Sequence, residues 1–451
     1  MASISRTLQR IKDDLRPYLP DKSVRAACVT AGYAWRERLL DPVTTLHLFV
    51  LQVLSFNTSI VGLLRLAKAK VSAAAYCEAR MRLPLAALQQ LLRSSATAMH
   101  RQACTAPEAL WHGLRALLVD GSSTIAPDTP SLQEAFGQHK SQKPGCGFPM
   151  PTILGLFDAF TGLVLEVLDF RVCSHEMGKV SLLHPLLSAG DLLVADRGFC
   201  SYAHIALVQA RKVLALFRMH QRQIVNFRPH RKANEGKDRS SDKGRPRSRW
   251  VARLGKHDQL VDWLKPTSRP KWMTPEQYAK LPATLRVREI RYHLASKGQR
   301  TQCVTIVTTL LDPVLYPKDE ITKLYGVRWT IETHLAELKT TLKMRRVKCQ
   351  TPDGVRKELA VYCLVYNLVH VVMLTAAARQ DVSPDRISFI DTVRWLLSAD
   401  PGEALPDLVV NPLRPDRHEP RVVKDRQDTY RFMTKPRHVL QKALKKQALK
   451  A

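Results

Sequence analysis

The chain has 451 residues, 45% of them hydrophobic, which is enough for two or three packed domains and too apolar for a disordered polymer. Against 40 acidic residues stand 70 lysines and arginines, and the net charge of +30 points to a polyanionic partner. Nucleic acid fits better than a membrane surface, because the cations are spread along the chain instead of flanking one apolar helix. The nine cysteines form no C-x-x-C pair, which argues against a zinc ribbon or a disulfide framework, and the N-terminus lacks the apolar core of a signal peptide. A cytoplasmic protein is expected.

Residues 1–105 read as helical. The stretch 44–54 is apolar enough for a buried helix, 59–69 and 85–99 are amphipathic, and 71–84 is a small-residue helix with a basic end at Arg80 and Arg82. From about 110 the pattern changes to short strands, at 115–120, 153–158 and 163–170, with a loop rich in Pro, Gly and Lys at 127–151. That loop matches no phosphate-binding pattern. A helix at 175–188, a strand ending at Asp196, a helix at 202–211 and a strand at 213–218 complete an α/β unit with a mixed sheet.

Two acids stand out in this unit. Asp120, after Leu117-Leu-Val, and Asp196, after Leu192-Leu-Val-Ala, each close an apolar β-prone run and precede turn-forming residues, and strand-end carboxylates project into clefts. Asp120 by itself also fits an ordinary strand-to-turn residue.

Roughly 135 residues then separate Asp196 from Glu332, far more than one helix and one strand need. The excess contains a strongly basic loop within 219–253, expected to be mobile until DNA binds, and strands at 250–254, 285–292 and 302–309. A helix carrying Tyr325, Arg328, Glu332 and Lys339 follows. At about 100° per residue these four fall near 0°, −60°, −20° and −40°, one narrow polar stripe, with Leu324, Ile331, Leu335, Leu338 and Leu342 beside it as an apolar anchor. Glu337 falls near 120° and reads as a surface residue, and Trp329, near 40°, reads as core filler more than as a base-stacking platform. A long apolar helix at 353–379 closes the core; Asn367 and His370 within it argue against a membrane span. A helix at 387–397 and a basic tail at 435–450 end the chain.

The spacing Y-x-x-R-x-x-x-E-x-x-x-x-x-x-K resembles the motif of insertion-sequence family four, a group of cut-and-paste DDE transposases, and Ala195-Asp196-Arg197-Gly198-Phe199 looks like the second motif of that family. The likeness covers about residues 110–375. It implies a ribonuclease H-like catalytic domain at 106–380 with a β-rich basic insertion at about 219–310. Around it stand an all-α N-terminal domain at 1–105 that binds DNA or supports the core, and a helical, basic C-terminal region at 381–451. By the same resemblance Asp120, Asp196 and Glu332 are catalytic and hold two Mg²⁺ ions, with Mn²⁺ able to substitute. Tyr325, Arg328, Lys339 and Arg197 contact DNA on the same resemblance, and Lys143, on the flexible loop beside Asp120, either touches DNA as well or belongs to a simple surface loop. The implied partners are double-stranded DNA, as transposon ends and target, and a second copy of the chain in the DNA complex; no membrane is involved. Two alternatives stand beside a transposase: a site-specific nuclease on the same core, and a transposase-derived DNA-binding protein without activity.

Overall fold

The computed structural model describes residues 18–413 except 104–109, 140–141, 144, 173–175, 221–222, 224, 231–243, 294–302 and 401, together with 439, 442 and 443. Most of the basic loop expected within 219–253, and most of the basic tail, lie outside the described residues.

Nine strands form one mixed sheet in the order β3-β2-β1-β4-β5-β9-β8-β7-β6. Strands β1 (Arg115–Ser123), β2 (Thr152–Asp158) and β3 (Val164–Phe170) make an antiparallel meander, and β4 (Asp191–Ala195) and β5 (Leu214–Arg218) run parallel to β1. The strands expected in the insertion do not form a separate sheet. Four strands form there, one more than expected, β6 (Arg247–Gly255), β7 (Asp258–Leu264), β8 (Thr284–His293) and β9 (Cys303–Thr308), and the last pairs with β5 and carries the others outward as an antiparallel extension.

Continuous apolar runs form the central strands because both faces of the sheet are covered. Alternate residues divide between two cores: Leu118, Val194 and Leu216 face one, and Leu117, Leu193, Ala215 and Phe217 the other. Strand β7 has no such run and was not foreseen. Its polar residues are buried by pairing, Asp258 with Arg288 at 2.6 Å and Gln259 with Glu289 at 2.8 Å, so periodicity alone does not show it.

The N-terminal region is helical as expected, with α1 (Asp21–Thr30), α2 (Pro42–Leu54), α3 (Ile60–Leu66), α4 (Ala73–Arg82) and α5 (Leu85–Ala103). Asp41 caps α2 by accepting the Thr44 amide at 2.7 Å, and Ser59 and Ser72 cap α3 and α4 in the same way. The expected loop at 127–151 contains a short helix, α6 (Pro130–Phe136), started by Thr129 and a proline at its first position.

The single helix expected at 175–188 does not form. One turn, α7 (Glu176–Lys179), gives way to two 3₁₀ segments, Val180–Leu182 and His184–Leu186, the second with Pro185 in its first turn. Proline removes an amide and clashes with the preceding turn, so a continuous α-helix cannot pass through it without a break. Helices α8 (Tyr202–Ala210) and α9 (Pro275–Ala279) pack on the second core face.

Near the C-terminus α10 (Lys318–Val327), α11 (Thr330–Ala336), α12 (Pro352–Gln380) and α13 (Phe389–Ser398) cover the first face. Among the described residues α12 alone is long and apolar enough to cross a membrane, yet 83% of its most apolar window is buried inside the fold, against α2, α5, α13 and β3. Asn367 belongs there because its amide closes two hydrogen bonds to Val164, each 2.8 Å. The N-terminal helices are joined to α12 by buried polar contacts as well: Asn57 donates to Glu358 at 2.8 Å, and the Lys357 ammonium donates to the Met81 carbonyl at 2.6 Å.

Candidate active site

Strands β1 and β4 are in register from Arg115 opposite Asp191 to Val119 opposite Ala195, and the next residue on each is an aspartate. Asp120 and Asp196 thus stand side by side where the parallel ladder ends, on chains spaced by about 5 Å. Strand alternation puts Asp120 on the face of Leu118, the face that α10 to α12 cover. Asp196 fits the expectation of a strand-end acid. Asp120 does not: β1 continues to Ser123 against β2, with Asp120 opposite Gly155. The cleft opens beside Asp120 because β4 stops, not because β1 does. Gly155 is bare for a steric reason, since a Cβ there would lie 2.5 Å from the Phe157 ring.

Glu332 reaches this place from α11, which packs on β1. An open cleft of about 610 Å³ is lined by Asp120, Ser122, Glu332, Lys339 and Arg345, among others. Lys339 donates to the Ser122 hydroxyl at 2.8 Å across it. Burial pushes the Asp120 carboxyl above its ordinary value; the Gly121 amide and Arg328 act against the rise, and the neighbouring carboxylates of Asp196 and Glu332 add to it. The three acids therefore share one electrostatic neighbourhood. Burial and the nearby Arg345 lower the pKa of Lys339.

On the other side of Asp120 sit Tyr325 and Arg328. Arg328 is only 3% exposed, its guanidinium 4.4 Å from the Trp329 ring centre and 5.7 Å from that of Tyr325. The Tyr325 hydroxyl, Arg328 Nε and Asp196 Oδ1 are all buried without a hydrogen-bond partner. Three unsatisfied polar atoms at one place are costly in a finished protein interior. Burial raises the Tyr325 phenol, opposed by Arg328 and reinforced by Asp196.

The run from Tyr325 to Lys339 is not one regular α-helix. Between α10 and α11 the hydrogen bonds of Arg328 and Trp329 span three residues, and after α11 the segment Glu337–Thr341 is a π-helix. The apolar stripe holds, with Leu324, Ile331, Leu335, Leu338 and Leu342 all buried, but two residues differ from expectation. Trp329 is not core filler: it is 47% exposed, with the Arg328 guanidinium against its ring. Glu337 is not on the surface. Helix α12 packs on the π-helical segment that carries it, and its Oε2 lies 3.3 Å from His370 Nε2, 3.3 Å from the Tyr366 hydroxyl and 3.6 Å from His334 Nδ1. Burial opposes its ionisation, but the two histidines prevail and hold its pKa down at about 2.

The expected DNA contacts divide into two groups. Lys339 lines the cleft with Asp120 and Glu332, and the buried Arg328 and Tyr325 act on Asp120 and feel Asp196 respectively, whereas Arg197 and Lys143 are exposed. Two neighbours were missed. Arg218, the last residue of β5, shares the face of Leu216, and Tyr292 on β8 lies within reach of both Arg218 and Arg328, which oppose the burial that pushes its phenol up to about 12. Arg218 ends the apolar run Leu214-Ala-Leu-Phe, the signal that drew attention to the two aspartates, so it was legible; Tyr292 carried no signal.

Carboxylates gathered where two central strands part, under a cationic helix, define a class of enzyme that works on phosphodiesters, and the family model of the transposase DDE domain matches residues 111–368, the span that builds this cleft. The chain belongs to that family and is a DDE transposase, an enzyme that cleaves DNA and transfers the cut strand. It is 25% identical over 387 residues to the transposase InsG for insertion sequence element IS4 of Escherichia coli (strain K12), covering 81% of this chain and 79% of that one, which agrees with the family-four resemblance. Among solved structures it is similar to a piggyBac transposase synaptic complex with hairpin DNA, with a TM-score of 0.41 and 10% identity over 86% of this chain and 79% of that one.

Proposed function

We propose that Asp120, Asp196 and Glu332 are the catalytic acids and that the chain frees the 3′ ends of an insertion sequence and joins them to target DNA. The observation that carries the assignment is the register of β1 and β4, which sets Asp120 and Asp196 abreast under the helix of Glu332. The order β3-β2-β1 antiparallel, then β4 and β5 parallel, supports a ribonuclease H-like core at 106–380 extended by the insertion at about 219–310. We assign 1–105 to a supporting or DNA-binding helical domain and 381–451 to a C-terminal region that assists a homodimer, since two ends require two such sites. The working compartment on this reading is the cytoplasm.

The donor set suits hard divalent cations: three carboxylates, one with a buried oxygen that has no protein partner. Asp120, Asp196 and Glu332 would hold the ions through their carboxylate oxygens. Bound Mg²⁺, or Mn²⁺ in its place, supplies Lewis-acid stabilisation of charge on the attacking and leaving oxygens. The chain's own side chains do the positioning. Lys339, on the cleft wall, holds a phosphate oxygen by charge, while Arg328 and Tyr325 offer an N–H and a hydroxyl from the buried side. Trp329 presents an exposed ring to a base next to the scissile bond.

In the first step water attacks phosphorus at the transposon end, the bond from phosphorus to the 3′ oxygen breaks, and that oxygen leaves as a hydroxyl. In the second the hydroxyl attacks a target phosphodiester and displaces a target 3′ oxygen. A strand-transfer assay with candidate end sequences tests the reading. Joined product is expected, and cleavage without any joining would favour a site-specific nuclease on the same core.

Two further outcomes are expected. Lys339→Ala removes one charged hydrogen-bond donor from the cleft, worth about 1.5–3 kcal/mol, and should slow single-turnover cleavage roughly 10- to 100-fold with an unchanged melting temperature. Replacing the arginines and lysines between Arg228 and Arg249 by alanine should flatten the dependence of log K on log salt by about 0.9 per lost phosphate contact. An unaltered slope would show that this segment does not touch DNA.

A further inference from the structure

We propose that His334, Glu337 and His370 form a second cation site, of the zinc class with three protein ligands and a fourth position for water, that fastens the helix of Glu332 to α12 and is separate from the catalytic acids. Among the described residues this is the group of His, Cys, Asp and Glu side chains whose ligand atoms all lie within 4.8 Å of one another. The donors suit a borderline-soft ion, two imidazole nitrogens and one carboxylate oxygen, unlike the all-oxygen set in the cleft.

The spacing fits as well. In a tetrahedral site with bonds of about 2.0–2.1 Å, neighbouring ligand atoms stand roughly 3.3 Å apart. Here Glu337 Oε2 is 3.3 Å from His370 Nε2 and 3.6 Å from His334 Nδ1. The second of these is longer than a hydrogen bond, and His334 Nδ1 is buried without any hydrogen-bond partner, on a residue only 8% exposed. A buried ring nitrogen facing a carboxylate oxygen at 3.6 Å, beyond hydrogen-bond distance, stands where one ligand of a shared ion would stand relative to another.

Local construction supports the same conclusion. His334 and Glu337, at i and i+3, present two donors from one helical face, and His370 reaches them from α12. The Tyr366 hydroxyl donates to Glu337 Oε2 at 3.3 Å, the kind of outer contact that orients a ligand carboxylate. Gly162, at φ 71°, leaves the space for His370: a Cβ there would lie 2.7 Å from its Nδ1 and 3.1 Å from His334 Cε1. Because the cluster begins two residues after Glu332, an ion held there would fix the height of that acid over the sheet.

The test is metal content and cobalt substitution on tag-free full-length protein. After dialysis against zinc and then metal-free buffer, wild type and Asp196→Asn are each expected to retain one equivalent, and His370→Ala to lose it. Cobalt in place of zinc should give wild-type protein the intense visible absorption of a tetrahedral site, independently of whether the His370→Ala variant folds. No retained equivalent, retention undiminished in folded His370→Ala, or loss in Asp196→Asn would each overturn the proposal, as would an octahedral cobalt spectrum. None of these readouts depends on cleavage, so failure of this site leaves the assignment of Asp120, Asp196 and Glu332 to be judged by activity alone.

Discussion

Asp196→Asn is expected to abolish Mg²⁺-dependent cleavage, by about 10³-fold or more, while binding to the transposon ends changes little. The substitution is nearly isosteric, so the end of β4 and the turn Arg197-Gly198-Phe199 keep their shape, and the Phe199 amide still donates to the Asp196 carbonyl at 3.0 Å. What disappears is a negative charge at a place where one carboxylate oxygen is already buried without a partner. Loss of several kcal/mol of cation binding and transition-state stabilisation corresponds to the stated factor. Asp120→Asn should behave alike, because an asparagine oxygen still accepts the Gly121 amide at 2.8 Å and only the charge is removed. Cleavage of a labelled end, with binding followed in parallel by gel mobility, decides the matter. Cleavage by Asp196→Asn at the wild-type rate would remove this residue from the mechanism.

Glu332→Ala and Glu337→Ala are expected to fail in different ways. Glu332 is exposed, so truncating it should alter stability by no more than ~0.5 kcal/mol, yet eliminate cleavage. Glu337 is partly buried between His334 and His370, and removing the carboxylate takes the hydrogen-bond partner from His370 and the Tyr366 hydroxyl and the facing negative charge from His334. Breaking a buried charged cluster on one side costs about 3–5 kcal/mol. The Glu337 variant should therefore show a clearly lower denaturation midpoint, and the Glu332 variant a normal midpoint with no product. Urea denaturation and cleavage, measured on the same preparations, separate the two. Wild-type stability in Glu337→Ala would mean that the contacts of α11 with α12 are wrong.

Much of this was legible in the chain. A run such as Leu117-Leu-Val followed by an acid encodes a buried strand and a carboxylate near its end without reference to any other part of the molecule, and the apolar stripe from Leu324 to Leu342 encodes the buried side of its helix. The net charge of +30 and the tyrosine-to-lysine spacing, through its resemblance to a family, pointed to DNA and to the acids now proposed as catalytic. What sequence could not supply were facts about neighbours. Strand β1 runs past Asp120 because β2 pairs with it as far as Ser123, the cleft beside Asp120 opens because β4 stops, and Pro185 in the segment after β3 outweighed an otherwise helical composition. Glu337 looked solvated because a helical wheel has one inside and one outside, whereas the segment bearing Glu337 lies between the sheet and α12 and is buried on two sides. Periodicity reports the direction in which a side chain points; what waits there, water, a histidine or another strand, is fixed by residues as far as 33 to 217 positions away and is decided only when the chain has folded.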